Sequence, residues 1–303
     1  MVASGSTACQ SNKYPPENYF AGRNLIMGRA IAEEDTDEII RLVKEEGYDP
    51  STRETSPEIT RQGHLYENTY LNYAVSAGRV KSAETLLELG ADIDAVIHIT
   101  TRGSGIGNMN MAVRGPNRKM VDLLLKYHVD LNNPLATSPL DDMLMNEIYD
   151  TDLYELLLAH GANINHTPAI SGTPPLSTAY TIKNMKIFHF LLEKGANPMQ
   201  IELWGHSVAS AVEEEIKTHS SVSSSEFLDE ALALKQLLAD KYGVQFPVEI
   251  SIRRGIAARV ARYDSVPQKY KDKLSEQEKA FIEELRHSLT TGVYDGIKLD
   301  SVY

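Results

Sequence analysis

Leu86-Leu87-Glu88-Leu89-Gly90-Ala91-Asp92-Ile93-Asp94 is a phrase that the chain writes four times. It returns as Leu124-Leu125-Lys126-Tyr127-His128-Val129-Asp130-Leu131-Asn132 and as Leu157-Leu158-Ala159-His160-Gly161-Ala162-Asn163-Ile164-Asn165. The fourth copy is Leu191-Leu192-Glu193-Lys194-Gly195-Ala196-Asn197-Pro198. The glycine position falls at 90, 128, 161 and 195, so the spacings are 38, 33 and 34 residues. Each residue type has a physical task. The leucine pair ends a helix and packs between neighbours. Glycine supplies the left-handed cap that stops the helix. The Asp or Asn that follows opens a loop by bonding nearby backbone groups. His128 replaces one glycine, so that cap is expected to be strained or differently shaped.

A second phrase precedes each leucine pair. It is Thr69-Tyr70-Leu71-Asn72-Tyr73-Ala74-Val75 in one copy, and its counterparts begin at Gly107, Ser138 and Pro174. Together the two phrases resemble the ankyrin repeat, a pair of short antiparallel helices and a turn with a period near 33 residues. The family's Thr-Pro-Leu-His is kept here without its His. The resemblance therefore implies that the usual bonds from that His to the turns are absent or replaced. Two flanking segments are weaker members: Asn24 to Pro50, and His206 to Gly243 after an insertion. Six repeats over about residues 20 to 247 follow, and atypical ends are expected where outer faces meet water. The expectation is an all-α ankyrin-repeat solenoid with one finger hairpin. Its parts are a leader at 1–19, repeats at 20–250 and a helical cap at 251–303.

Three places exceed the period. Ser51 to Gly63 is polar and contains proline. Ala95 to Gly107 has a β-branched run followed by glycines, as an extended finger would. Glu213 to Ser225 reads as a longer helix and a loop. Insertions in such arrays map to loops, often on the binding face.

The C-terminal segment carries a different charge from the rest. Residues 251–303 hold 10 Lys+Arg and 8 Asp+Glu, against a whole-chain balance of −12. Ile252, Ile256, Val260 and Tyr263 form an apolar stripe, with Arg254, Arg259 and Arg262 off it. Ser275 to Glu278 is a capping box, and Phe281, Ile282, Leu285 and Leu289 follow as an apolar face. This reads as a cap over the last repeat, its basic side turned to an acidic array. An acidic chain argues against a nucleic-acid partner, since phosphate binding needs concentrated positive charge. No run of eighteen apolar residues is present.

No catalytic constellation or metal set is legible. Gly103 to Gly107 fits neither a dinucleotide fingerprint nor a phosphate loop. The nine histidines lack zinc spacing. No cofactor is expected, and the reading is a binding protein rather than an enzyme. Partner contacts are placed at turn tips and along the first helices. The tips offer Tyr66, Glu67, Ile106 and Trp204, with His98 and Arg102 on the finger. Tyr73, Met111, Thr178 and Ser210 are read as sharing one first-helix position, and Arg114 is counted with the partner contacts. Trp204 is the only tryptophan, and tryptophan is strongly enriched in binding hot spots.

The start of the chain adds a narrower resemblance. Ala3 to Ala8 are small residues before a lone Cys9, similar to the end of a bacterial lipoprotein signal, although Ser6 stands where a leucine is usual. The alternative is an incidental cysteine. An acylated Cys9, a short linker and degenerate acidic repeats resemble the periplasmic ankyrin immunity proteins of the type VI secretion system. That resemblance implies a lipoprotein of the periplasm, anchored to the outer membrane. It implies a phospholipase D-type effector as partner, inhibited by occlusion of its active site. A cytosolic adaptor or host-directed effector using the same face is the alternative reading.

Overall fold

A computed structural model describes residues 14–55, 67–97, 105–115, 117–170, 173–220 and 225–299. Cys9, Tyr66, His98 and Arg102 lie outside the described residues. The backbone forms two compact units. One is Met1–Ile148 with Ala159–Ala162; the other is Tyr149–Leu158 with Asn163–Tyr303.

The first unit holds α1 (Gly22–Glu33), α2 (Thr36–Lys44), α3 (Tyr70–Ser76), α4 (Val80–Glu88), α5 (Asn108–Arg114), α6 (Arg118–Lys126) and α7 (Pro139–Met145). In the second are α8 (Thr151–Ala159, save its last residue), α9 (Pro175–Thr181), α10 (Met185–Glu193), α11 (Val208–Ser220) and α12 (Ser225–Tyr242). The alternation of seven- and nine-residue helices from α3 to α10 is the repeat made visible. Leu86, Leu124, Leu157 and Leu191, the first leucine of each pair, are fully buried.

The turn chemistry repeats atom for atom. Gly90, Gly161 and Gly195 stand in the left-handed region with φ of 92°, 92° and 97°. His128 takes the same hand at φ 59°, a conformation that costs a side-chain-bearing residue about 1–2 kcal/mol. Two residues after each cap, an Asx side chain accepts from the backbone N–H two positions on. The pairs are Asp92 with Asp94 (3.1 Å), Asp130 with Asn132 (2.9 Å), Asn163 with Asn165 (2.9 Å) and Asn197 with Met199 (2.9 Å). Successive turns are also stitched together. The Asp94 carboxylate accepts from Asp130 N–H at 2.8 Å, and the Asn165 side-chain oxygen from Asn197 N–H at 2.8 Å.

The missing histidine is replaced by amides and a hydroxyl. Asn72 Oδ1 accepts from Thr69 N–H at 3.2 Å, Asn110 Oδ1 from Gly107 N–H at 3.0 Å, and Ser210 Oγ from Ser207 N–H at 2.9 Å. Asn110 also donates to the Thr137 carbonyl of the next turn at 3.1 Å. A side chain of one repeat thus satisfies backbone groups of two. Ser210 therefore stands in the histidine place, not in that of Tyr73. Counting four residues on from Thr69, Gly107, Ser138 and Pro174 gives Tyr73, Met111, Asp142 and Thr178.

The insertions hold more pairing than one finger. β3 (Val96–Ile97) and β4 (Ile106–Gly107) form the antiparallel stem expected at 95–107. The polar insertion before it also closes on a stem, β1 (Arg53–Thr55) with β2 (Glu67–Thr69). Arg53 Nη1 donates to the Val96 carbonyl at 3.0 Å, tying the two stems together. Gly105 forms a parallel bridge to Ala136, bonding Leu135 and Thr137 at 2.8 and 2.9 Å. A Cβ at Gly105 would lie 1.9 Å from Val96 Cγ1 and 2.9 Å from the Ile97 carbonyl, so only glycine fits there. The third insertion lengthens α11 and α12 to 13 and 18 residues.

The C-terminal segment is α13 (Ile252–Ser265), α14 (Gln268–Lys271), α15 (Glu276–Thr291) and a hairpin of β5 (Val293–Tyr294) with β6 (Ile297–Lys298). Ile252, Ile256 and Val260 are buried, as their stripe requires, and the Ser275–Glu278 capping box forms. Gly255 sits where a Cβ would meet the Leu203 carbonyl at 2.2 Å and Gly205 N at 2.4 Å. Backbone thus packs on backbone where α13 meets the turn at 202–205. The fold is an all-α ankyrin-repeat array with a C-terminal helical cap and three short hairpins among the described residues.

Candidate protein interface

Along the first helices of the first unit, two rows of side chains are set by the caps. The row four residues past the cap holds Tyr73, Met111 and Asp142; the row seven past it holds Ser76, Arg114 and Met145. Met111 is half-buried, its sulfur accepting from the Ser76 hydroxyl at 3.0 Å. Arg114 is held as a fork by Asp142, with Nε to Oδ2 at 2.8 Å and Nη2 to Oδ1 at 2.5 Å. That bond holds the guanidinium pKa above its ordinary value. The Asp142 side chain is 5% exposed and that of Arg114 37%. A buried anion therefore positions a cation that still faces solvent. Met145, at the same row position one repeat on, is 65% exposed, the largest exposure among the large apolar side chains described. Methionine in one row with a fixed arginine makes an adaptable apolar surface with a planar hydrogen-bonding group. Asp142 and Met145 escaped the sequence reading; their spacing from Ser138 was the available signal.

Tyr73 does not belong to that surface. Its hydroxyl donates to the Tyr14 carbonyl at 2.8 Å, and the rings of Tyr19 and Phe20 lie 5.0 and 5.3 Å away. The segment Tyr14–Phe20 covers it, leaving 1% exposed. Burial raises the Tyr73 phenol well above its ordinary value. Thr178 is buried as well, its hydroxyl 2.9 Å from that of Thr173. Both are packing residues.

Of the tip candidates, Glu67 is exposed at the end of the first stem, 3.8 Å from Arg53. Ile106 is half-buried in the second stem, opposite Ile97.

Trp204 lies in the turn at 203–204 of the second unit and is 43% exposed. Its described ring contact is with the cap and not with its own repeat. Its ring lies 5.5 Å from that of Tyr294 on the C-terminal hairpin. The turn is fixed from below: Glu202 N–H donates to the His206 carbonyl at 2.8 Å, Gly205 N–H to the Glu202 carbonyl at 3.0 Å, and Gly205 abuts Ser251. Exposed Val293 adds apolar surface on the same hairpin. The result is a braced aromatic pair.

The basic side of the cap meets a carbonyl. Arg259 and Arg262 both direct Nη1 at the Pro168 oxygen, at 3.4 and 3.5 Å. Burial lowers the Arg259 guanidinium to about 10, with the charge of Arg262 adding to the effect, and burial lowers Arg262 as well. Among the described residues no group of three His, Cys, Asp or Glu could hold a metal ion. No helix of the described residues is long and apolar enough to cross a membrane.

No protein-family model and no curated protein matches the chain. Solved structures do. The ankyrin repeat domain of Bcl-3, a member of the IkappaB protein family, aligns with 19% identity and a TM-score of 0.49, over 64% of this chain and 80% of that one. The human ASB11 ankyrin repeat domain aligns with 20% identity and a TM-score of 0.45, over 85% and 96%.

Proposed function

We propose that the chain is a protein-binding ankyrin module, and that it neutralises a secreted phospholipase D-type toxin by occluding its active site. The observation that supports binding is the braced Trp204–Tyr294 pair, a large aromatic left open on a turn that cannot collapse around it. A rigid site loses little ordering entropy on association. Arg114 and Met145 of one row, with Met111 of the other, make a second contact surface, on the other unit. The choice of toxin rests on the family resemblance and on charge. A phosphate-binding active site is basic, and an acidic chain steers such a partner, raising the association rate more than the affinity.

The test is calorimetric titration with the candidate effector beside an assay of its phospholipase activity. Trp204→Ala should cost about 2 kcal/mol, roughly a thirty-fold weakening, if the indole fills a partner pocket. Binding without loss of hydrolysis sinks occlusion, and wild-type affinity in Trp204→Ala sinks this placement. The periplasmic location is part of the same proposal and depends on acylation of Cys9. Cells fed a clickable palmitate should label the wild type and not Cys9→Ser; equal labelling refutes the anchor.

A further inference from the structure

The third insertion builds a pocket that the binding surfaces above do not use. The last helical pair is longer than the seven- and nine-residue pairs before it. Glu215 is the first residue of α11 beyond that length, and the N-terminal half of α12 is additional. These extra turns stand over the turn between α9 and α10. They line a cleft of about 570 Å³ that opens to solvent. Small-molecule sites span about 300–1,000 Å³, so the volume suits a ligand rather than a few waters.

The walls are aliphatic at Met185 from α10 and at Ala231, Leu234 and Leu237 from α12, and His189 of α10 adds an imidazole. One end is a closed ionic group. Lys183 Nζ lies 2.6 and 2.8 Å from the two Glu215 oxygens and 4.3 Å over the Tyr180 ring, and the Tyr180 hydroxyl donates to the same carboxylate. Glu215 is thus already neutralised. Glu230 is not. It lines the pocket from an exposed position, and no hydrogen bond or ion pair holds it among the described residues. Asp229 beside it is exposed and adds negative potential. A largely aliphatic lining with one unspent carboxylate is complementary to an apolar body that ends in a positive charge.

We propose that this pocket binds a small cationic amphiphile, an alkyl chain ending in an amine. A lysine side chain offers the same chemistry, but its four-carbon stem would leave much of the volume empty, which favours a free ligand.

The experiment titrates octylammonium into the full chain carrying labelled methionine and leucine methyl groups, with octanoate as the comparator. Octylammonium should give saturable shifts confined to Met185, Leu234 and Leu237, and octanoate at the same concentrations should not. Glu230→Gln, a change at an exposed position, should weaken binding about tenfold. Ala233→Trp, at an exposed position that lines the pocket, should abolish it. Absent shifts, an equal response to octanoate, or unchanged affinity in Glu230→Gln overturns the proposal. A lysine-bearing helical peptide that shifts these methyls when octylammonium does not also overturns it, because the pocket would then dock a protein.

Discussion

Asn110→Ala tests how the array replaces its missing histidine. Asn110 is 1% exposed and bridges two backbone groups: it accepts from Gly107 N–H at 3.0 Å and donates to the Thr137 carbonyl at 3.1 Å. Alanine removes both bonds and leaves two half-buried backbone groups without this partner. Each lost bond costs about 1 kcal/mol net, and somewhat more where the partner stays dry. The small void adds to this, so the expected loss is about 2–3 kcal/mol. Urea unfolding followed by dichroism should show a lower midpoint with an unchanged slope. Hydrogen exchange should localise the loss to the amides of the Gly105–Thr137 bridge, because opening is regional in such folds. Asn110→His carries a donor and an acceptor on one ring and should recover part of the loss. An alanine variant within about 0.5 kcal/mol of wild type refutes the bridging role, since changes that small are ordinary for surface sites. A histidine variant no better than alanine refutes the equivalence.

Two further outcomes are expected. His128 is exposed and left-handed at φ 59°, so His128→Gly should stabilise by about 0.5–1 kcal/mol, the strain relieved less the glycine's extra unfolded freedom; an unchanged urea midpoint contradicts this. Burial pushes the Glu213 carboxyl up, but hydrogen bonds from Lys235 Nζ at 2.8 Å and Val248 N–H at 2.6 Å outweigh it and leave the pKa below its usual 4.5. Its folded form therefore takes up a proton later than the unfolded chain, so its contribution is complete above pH 4.5 and is lost as pH falls through the lower folded value. The urea midpoint should drop from about pH 6 to about pH 3.5, and less steeply in Glu213→Gln. An equal acid slope in that variant rules out Glu213 as a source.

What the sequence made legible is what repeats. The Leu-Leu-x-x-Gly phrase specifies a helix end, a left-handed cap and an Asx turn within nine residues, and local backbone chemistry needs no distant partner to be right. The finger stem at 95–107 was legible for the same reason, its β-branched run and glycines lying side by side. The stem at 53–55 and 67–69 was not, because Arg53-Glu54-Thr55 has no apolar alternation; its partner strand and the Val96 carbonyl hold it.

The site was harder to read because its residues are decided by contacts that break the period. Tyr73 holds a first-helix position that the repeat alone would leave open. A non-repeating segment closes it, and the aromatic run Tyr14, Tyr19, Phe20 was the only hint. Arg114 is legible as a contact residue, but the carboxylate that fixes it, Asp142, belongs to the next repeat and is joined to it only in the fold. Trp204 was placed on its turn correctly, yet what braces it is Tyr294, ninety residues on, and a glycine pair at 205 and 255 that no local pattern connects. Gly205 and Gly255 are informative only once the cap helix is known to pack on that turn. A side chain at either would drive the two backbones apart. Repetition thus encodes the scaffold, and each departure from it marks a place where the chain gives up regular packing. The covered Tyr73, the braced Trp204 and the pocket under α12 all lie at such departures, whereas the fork at Arg114 joins two regular positions of neighbouring repeats.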